Sequence, residues 1–316
     1  MSEKKRIVFM GTPQFAVSCL EALLESDCNV VAVVTQPDRP QGRKKVLTPS
    51  PVKEAALKHH LPVLQPERMR SKEAVEELAS FHPDLIVTAA YGQILPKSLL
   101  EVPELGCVNV HGSLLPAYRG GAPIQRSIMN GEPKTGITLM YMAEGLDTGD
   151  MISVTEVDIT DRDDSGSLFE KMAEAGAALL KRELPRLLNG RVAARAQDES
   201  LATYAPNLSR EDERIDWTRS PREIFNQVRG LSPFSGGYTL WNEEVFKIWQ
   251  VEPPEENGPE AGAAPGTVLD VNSQAIVVAC GSGAVRLTKV QPAGKKAMPV
   301  SEFVRGTSMQ AGTVLG

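Results

Sequence analysis

RIVFMGTPQFAVSCLEALLESDCNVVAVVT, residues 6–35, reads as a strand, a helix and a second strand in one unbroken run. Arg6–Gly11 is a short apolar stretch closed by glycine. Pro13 then opens a segment to about Leu24 in which Phe15, Val17, Leu20 and Leu24 recur near the helical period. Asn29–Thr35 is a β-branched run, the composition of a strand buried on both faces. Outward from this unit the alternation continues. Ser50-Pro51 is an N-cap followed by proline at the first helical position, which predicts a helix to about His60. Ser71–Phe81 is a further helix, with Glu73, Glu76 and Glu77 near its start. Leu85–Tyr91 and Gly106–His111 are further buried strands. Ile137–Met142 and Met151–Ile159 close the strand series, and Ser165–Leu188 is a long helix stopped near Asn189-Gly190. Such alternation predicts an α/β fold with an open, mostly parallel sheet covered by helices.

Beyond about Pro206 the texture changes. Leu208–Arg229 is charged and expected to be helical. Tyr238–Trp241, Val245–Val251, Gly266–Val271, Ala275–Ala279 and Ala284–Val290 are short β-rich runs divided by turn residues, the pattern of a small β-barrel or sandwich. Glu252–Pro265 is rich in Pro, Gly and Glu and is expected to be an exposed loop. Two domains follow, 1–206 and 207–316, a division that 316 residues accommodate. An apolar fraction of 41% is enough to build two cores. No run reaches the roughly 18 apolar residues of a membrane span. The basic start MSEKK is followed by too short an apolar stretch for a secretory signal, so a cytosolic protein is expected; no membrane contact and a monomer are expected as well. Cys19, Cys28, Cys107 and Cys280 show no C-x-x-C spacing, which argues against a disulfide framework and a structural zinc site. The net charge of −6 disfavours a nucleic-acid binder overall, but it leaves room for local basic patches.

Ligands of open α/β sheets bind beyond the carboxyl ends of the strands. Gly11-Thr12-Pro13 lies at one such end. It lacks the further glycines of a dinucleotide fingerprint, and Pro13 removes an N–H, which counts against an NAD-dependent oxidoreductase. Cys107–Pro116 (CVNVHGSLLP) is more informative. Strand alternation turns Asn109 and His111 to one face and Val108 and Val110 to the other. A lone histidine is more often a hydrogen-bonded core residue. A strand-end position beside Asn109 brings the functional reading level with that one. The loop Gly145–Asp150 (GLDTGD) offers Asp147 or Asp150, either as a turn residue or as a carboxylate that orients the imidazole. An amide, an imidazole and a carboxylate with no activated Ser or Cys suggest direct transfer, in which the substrate supplies the nucleophile. Ser113 lacks a nucleophile-elbow context, and no histidine spacing supports a metal.

His111–Pro123 (HGSLLPAYRGGAP), with Asn109 and GLDTGD, resembles the folate-dependent formyltransferases. TQPDRPQGRKK near the N-terminus, the Ser-Pro-Val-Lys after it and PAGKKAM at Pro292–Met298 extend the resemblance along the whole chain, to members whose acceptor is a charged initiator tRNA. The resemblance implies a Rossmann-like catalytic domain and a C-terminal barrel similar to the oligonucleotide-binding fold. It also implies 10-formyltetrahydrofolate as formyl donor, without a metal, and the amine of methionyl-initiator-tRNA as acceptor. On this chain Asn109, His111 and Asp147 would be catalytic. Ser113, Leu114, Leu115 and Pro116 would line the donor site, although both leucines also suit plain core. Backbone groups of Ala89–Leu95, Tyr91 and Gly92 among them, would meet the pterin, glycine allowing close approach.

The loop Thr35–Lys45 carries Arg39, Arg43, Lys44 and Lys45 against Asp38 alone, a run that would ordinarily be a solvated loop, and the resemblance implies that it enters the acceptor stem. Lys295 and Lys296 lie in a stretch from Ala261 onward with five basic and two acidic residues, and would add phosphate attraction. A formyltransferase for a small amine, such as a sugar nucleotide or glycinamide ribotide, would share the Asn–His–Asp set without needing those cations. A non-catalytic RNA-binding protein would need the cations without the set.

Overall fold

Strand β1 (Arg6–Gly11) is fully buried from Ile7 to Met10 and lies in the interior of the first sheet, as its apolar run requires. In the computed structural model, residues 3–42, 44–255 and 262–316 are described. Helix α1 (Gln14–Leu24) follows, then β2 (Asn29–Val34), β3 (Arg39–Gln41), β4 (Val46–Thr48), α2 (Pro51–Lys58) and β5 (Val63–Leu64). The chain continues through α3 (Lys72–Ala79), β6 (Leu85–Ala89), α4 (Lys97–Leu100), β7 (Cys107–His111) and α5 (Pro123–Met129). Then come β8 (Lys134–Tyr141), β9 (Met151–Asp158) and α6 (Ser165–Leu188).

The first sheet has seven strands in the order β5-β2-β1-β6-β7-β8-β9, parallel from β5 to β7, with β8 antiparallel to β7. Strand order reverses between β1 and β6, so the carboxyl ends of these strands open the crevice where α/β sheets bind ligands. Gly11 is placed there for packing. A Cβ would come within 2.7 Å of Ala16 Cβ and 2.9 Å of Ala89 O. Ser50 and Ser71 cap their helices as expected, accepting from Lys53 N and Ala74 N.

The C-terminal elements are α7 (Arg210–Glu213), α8 (Pro221–Leu231), β10 (Gly237–Trp241), β11 (Glu244–Val251), β12 (Val268–Val271), β13 (Ile276–Cys280), β14 (Gly283–Gln291), β15 (Met298–Pro299) and α9 (Val300–Phe303). The strands form an antiparallel sheet, β10-β11-β14-β13-β12, with β15 added to β14. Ile224, Phe225, Val228 and Leu231 make the apolar stripe of α8. Trp241, Phe246 and Phe303 meet mostly edge-on over the same core, with centroids 5.5–5.9 Å apart. Burying Phe246 and Phe303 is worth roughly 1.5–3 kcal/mol each.

Two expectations change. The helix expected over Leu208–Arg229 is two helices, because Ile215 and Trp217 leave the helical path to enter the core and Ser220-Pro221 starts a new one with a capping box. Part of the Thr35–Lys45 loop is the hairpin β3–β4, since Arg39 pairs with Thr48 and Gln41 with Val46. Arg43, and 256–261 of the expected acidic loop, lie outside the described residues.

The chain divides into two compact units, each discontinuous in sequence. The first comprises Met1–Pro123, Thr135–Asp158 and Phe169–Pro206. The second comprises Ile124–Lys134, Ile159–Leu168 and Asn207–Gly316. Within the second, Ser165 Oγ donates to Gly230 O at 2.5 Å and Arg229 donates to Thr160 O at 2.6 Å. Arg126 pairs with Asp212 at 3.1 Å. No described helix is long and apolar enough to cross a membrane.

Candidate active site

The register that pairs β6 with β7 puts Thr88 beside Asn109. The Thr88 hydroxyl donates to Asn109 Oδ1 at 2.8 Å, so the carbonyl end of the amide is held and the Nδ2 end is turned away from it. Nδ2 makes no hydrogen bond to a described residue, and Asn109 is half-buried while its neighbours Val108 and Val110 are buried. Two residues on, His111 is 6% exposed. Its Nε2 lies 3.0 Å from Tyr118 O. A carbonyl only accepts, so Nε2 carries a proton and donates. Nδ1 faces the Asp147 carboxylate with Oδ2 at 3.7 Å, too far for a direct hydrogen bond.

Of the two carboxylates left open by the sequence, Asp147 stands beside His111, whereas Asp150 is exposed. Asp147 Oδ2 accepts from Gly120 N at 2.8 Å. That approach depends on glycine, because Gly120 has φ of +120° and a Cβ there would meet Ala205 O at 2.7 Å. Asp147 itself adopts φ of +51°, a left-handed conformation costing on the order of 1 kcal/mol for a side-chain-bearing residue. Its surroundings must hold it there. The Gln197 amide donates to Asp147 O at 2.7 Å and to Gly149 O at 2.8 Å, and accepts from Arg119 Nη2 at 2.8 Å. The Arg119 side chain is fully buried and reaches Glu199 through two bonds, of 2.9 and 2.7 Å. Glu199 holds the guanidinium's proton even more firmly than usual, and Arg119 in turn holds the Glu199 carboxyl below the usual range. Sequence reasoning missed Thr88, Arg119 and Gln197. Arg119 had a signal, as a cation inside the RGG turn of the motif. Gln197, in an unremarkable polar stretch, had none.

The residues expected at the donor site are placed as follows. Ser113 is fully buried and donates to Ala117 O at 2.6 Å, while its own carbonyl accepts from Thr138. Leu115 belongs to a small core with Met140 and Met151, and Leu114 packs over Gly136. Pro116 is half-buried. The Tyr91 ring is in the core, where burial pushes its phenol up to about 12 and keeps it neutral. The Tyr91 carbonyl accepts from Thr12 and Gln36. Gly92 is exposed beside it.

The expected RNA contacts have a different setting. Arg39, Lys44 and Lys45 are exposed on or beside the β3–β4 hairpin. Asp38, at its base, is tied to Lys53 at 2.7 Å and to Gln65, which hold its carboxyl below the usual range. Lys295 and Lys296 are exposed in the turn from β14 to β15. Among the described residues, no group of three or more His, Cys, Asp or Glu is placed to hold a metal ion.

Two family models match, one described as formyl transferase over residues 5–184 and one as formyl transferase, C-terminal domain, over 207–308. The methionyl-tRNA formyltransferase of Bacillus subtilis strain 168 is 54% identical over 312 residues, 98% of either chain. That of Halalkalibacterium halodurans is 54% identical over 314 residues, again 98% of either chain. Among solved structures, HypX from Aquifex aeolicus in complex with tetrahydrofolic acid superposes with a TM-score of 0.66 at 19% identity, covering 96% of this chain and 47% of that one. WlaRD, a sugar 3N-formyl transferase crystallised in the presence of dTDP and 5-N-formyl-THF, gives 0.67 at 19% identity, covering 93% and 100%. At these identities the two structures speak to the fold.

Proposed function

The chain belongs to the formyl transferase family, and we propose on that premise that it transfers the formyl group of 10-formyltetrahydrofolate to the amino group of methionyl-initiator-tRNA. The observation that carries the acceptor's identity is the 54% identity to methionyl-tRNA formyltransferase across 98% of both chains. The reading of the site rests on Asn109, His111 and Asp147 at the end of β7. We assign 1–206 to the catalytic domain with its linker and 207–316 to tRNA binding, and we place the protein in the cytosol as a monomer.

The amine lone pair attacks the formyl carbon, and a C–N bond forms as the carbonyl electrons move to oxygen. The Asn109 Nδ2–H, its amide held by Thr88, donates to that oxyanion. The His111 Nε2–H is the second donor once the formyl oxygen replaces the Tyr118 carbonyl. Preorganised donors of this kind contribute roughly 3–4 kcal/mol each. The intermediate collapses by breaking the bond to the folate nitrogen. The Asp147 carboxylate holds the imidazole and guides the amine's proton, through water, to the departing nitrogen. The segments Ser113–Pro116 and Tyr91-Gly92 serve the donor, the latter through Gly92 and the former through its half-buried Leu114 and Pro116. Arg39, Arg43, Lys44, Lys45, Lys295 and Lys296 serve the RNA through its phosphates.

The test is incubation with 10-formyltetrahydrofolate and either charged initiator tRNA or a panel of small amines, among them a sugar nucleotide and glycinamide ribotide. Formylated methionyl-tRNA is expected. Formylation of a small amine with none of the tRNA would overturn the acceptor assignment and leave the reaction class standing.

A further inference from the structure

The stretch 195–205, which follows α6, carries no residue that the chemistry above requires, yet it is bonded to both loops that frame His111. Arg195 and Met151 exchange backbone hydrogen bonds of 2.9 and 2.8 Å. Arg119 donates to Thr203 O at 2.9 Å, and its carbonyl accepts from Ala205 N at 2.7 Å. Between these fixed points stands the Gln197 side chain. Its Nε2 donates to the carbonyls of Asp147 and Gly149. Its Oε1 accepts from Arg119 Nε at 3.1 Å and Nη2 at 2.8 Å. Every hydrogen-bonding capacity of the amide is thereby used. Its orientation is fixed by chemistry, because a guanidinium only donates and carbonyls only accept, so a flipped amide would oppose like groups at all four contacts. The Asp147 carboxylate and the His111 ring are 3.7 Å apart. That separation is not set by a direct hydrogen bond between them, so it must be set by whatever holds the loop.

We propose that Gln197, locked by Arg119, is a positioning residue for formyl transfer: it holds Asp147 in its left-handed conformation beside His111 and so governs kcat. The proposal rests on the reading of Asn109, His111 and Asp147 given above. Because its amide is saturated by protein groups, Gln197 acts through Asp147 and not on a substrate. The cation behind it belongs to the same device. The Arg119 side chain has no exposure of its own, so the carboxylate of Glu199 neutralises it, while its Nε–H and one Nη2–H are aimed at Gln197.

The experiment is a double-mutant cycle between Gln197→Met and Asp147→Asn in the full-length protein, with kcat and KM measured for both substrates. Methionine keeps the length and volume of the side chain and removes all four bonds. Gln197→Met is expected to lower kcat about tenfold, no more than impairing Asp147 itself, with either KM changed less than about threefold. In the Asp147→Asn background the same change is expected to cost less than about threefold, since the group it positions is already impaired. Equal losses in both backgrounds would overturn the proposal, as would a Gln197→Met enzyme of normal kcat beside a crippled Asp147→Asn. An Asp147→Asn enzyme of full activity would instead remove the reading of the site, and the proposal with it. Should Gln197→Met not fold, Gln197→Asn, which shortens the reach by one methylene, enters the same cycle. Additivity there is equally fatal.

Discussion

At the end of β7, His111 is buried, its Nε2 is committed to a carbonyl and a carboxylate faces its Nδ1. On the β3–β4 hairpin, Arg39, Lys44 and Lys45 are exposed and make no ion pair among the described residues. Both are short β segments carrying polar side chains that we assign to function. The first surrenders side-chain freedom in advance, which is what our assignment of its donors to a developing oxyanion requires. The second leaves its side chains exposed, which would suit a long polyanion met at many phosphates. The contrast separates an effect that depends on tenths of an ångström from one that depends on ionic strength.

The sharpest way to break the contrast is at the strand end. His111→Ala and Asn109→Ala are each expected to cut single-turnover formylation by at least about a hundredfold, with thermal unfolding little changed. Near-normal turnover in either would remove the assignment. Asp147→Asn follows, with an expected loss of about tenfold or more. The amide still accepts from Gly120 N, so the shape survives and only the charge goes. A loss below about threefold would mean that Asp147 merely positions its neighbours. Thr88→Val is next, at about three- to tenfold in kcat with unchanged affinity for tRNA, because Asn109 loses the hydroxyl that fixes its amide and with it a hydrogen bond worth about 1 kcal/mol. An equal loss of tRNA affinity would show that Thr88 matters for more than the amide.

The hairpin sharpens the other side. Replacing Arg39, Lys44 and Lys45 with alanine is expected to weaken tRNA binding and to flatten its dependence on salt by about one unit of slope per lost phosphate contact. An unchanged slope would reduce the hairpin to a solvated charge run. The smallest effect is expected from Lys295→Ala with Lys296→Ala, a loss of attraction confined to low salt. It is read in the same titration and is refuted by a change in single-turnover rate at saturating tRNA.

Much of the architecture was legible because period and punctuation agreed. Arg6–Gly11 is a strand at those same residues, Ser50 and Ser71 cap their helices, and Ser165–Leu188 is one helix. Leu208–Arg229 was misread because charge density hid Ile215 and Trp217, two residues whose burial breaks the helix in which they were counted. The basic loop was read by composition. Its pairing as a hairpin depends on register between Arg39 and Thr48, which no local pattern encodes. At the candidate site, alternation along β7 and the glycine-flanked Asp147 were visible in the letters. The groups that hold them were not. Thr88 reaches Asn109 through sheet register, and Gln197 reaches Asp147 across 50 positions of sequence.

The discontinuity of the second unit has a consequence for the order in which the protein is made. Arg126 emerges from the ribosome 86 residues ahead of its partner Asp212, and Ser165 emerges 65 residues ahead of Gly230. At roughly 5–20 residues per second, the earlier segments wait on the order of ten seconds for the partners that bury them. Helix α6 is therefore synthesised whole before Gly230 and Ser232, the partners of Ser165 in its first turn, exist. During that interval Asp212 and Gly230 are not yet available to the segments Ile124–Lys134 and Ile159–Leu168.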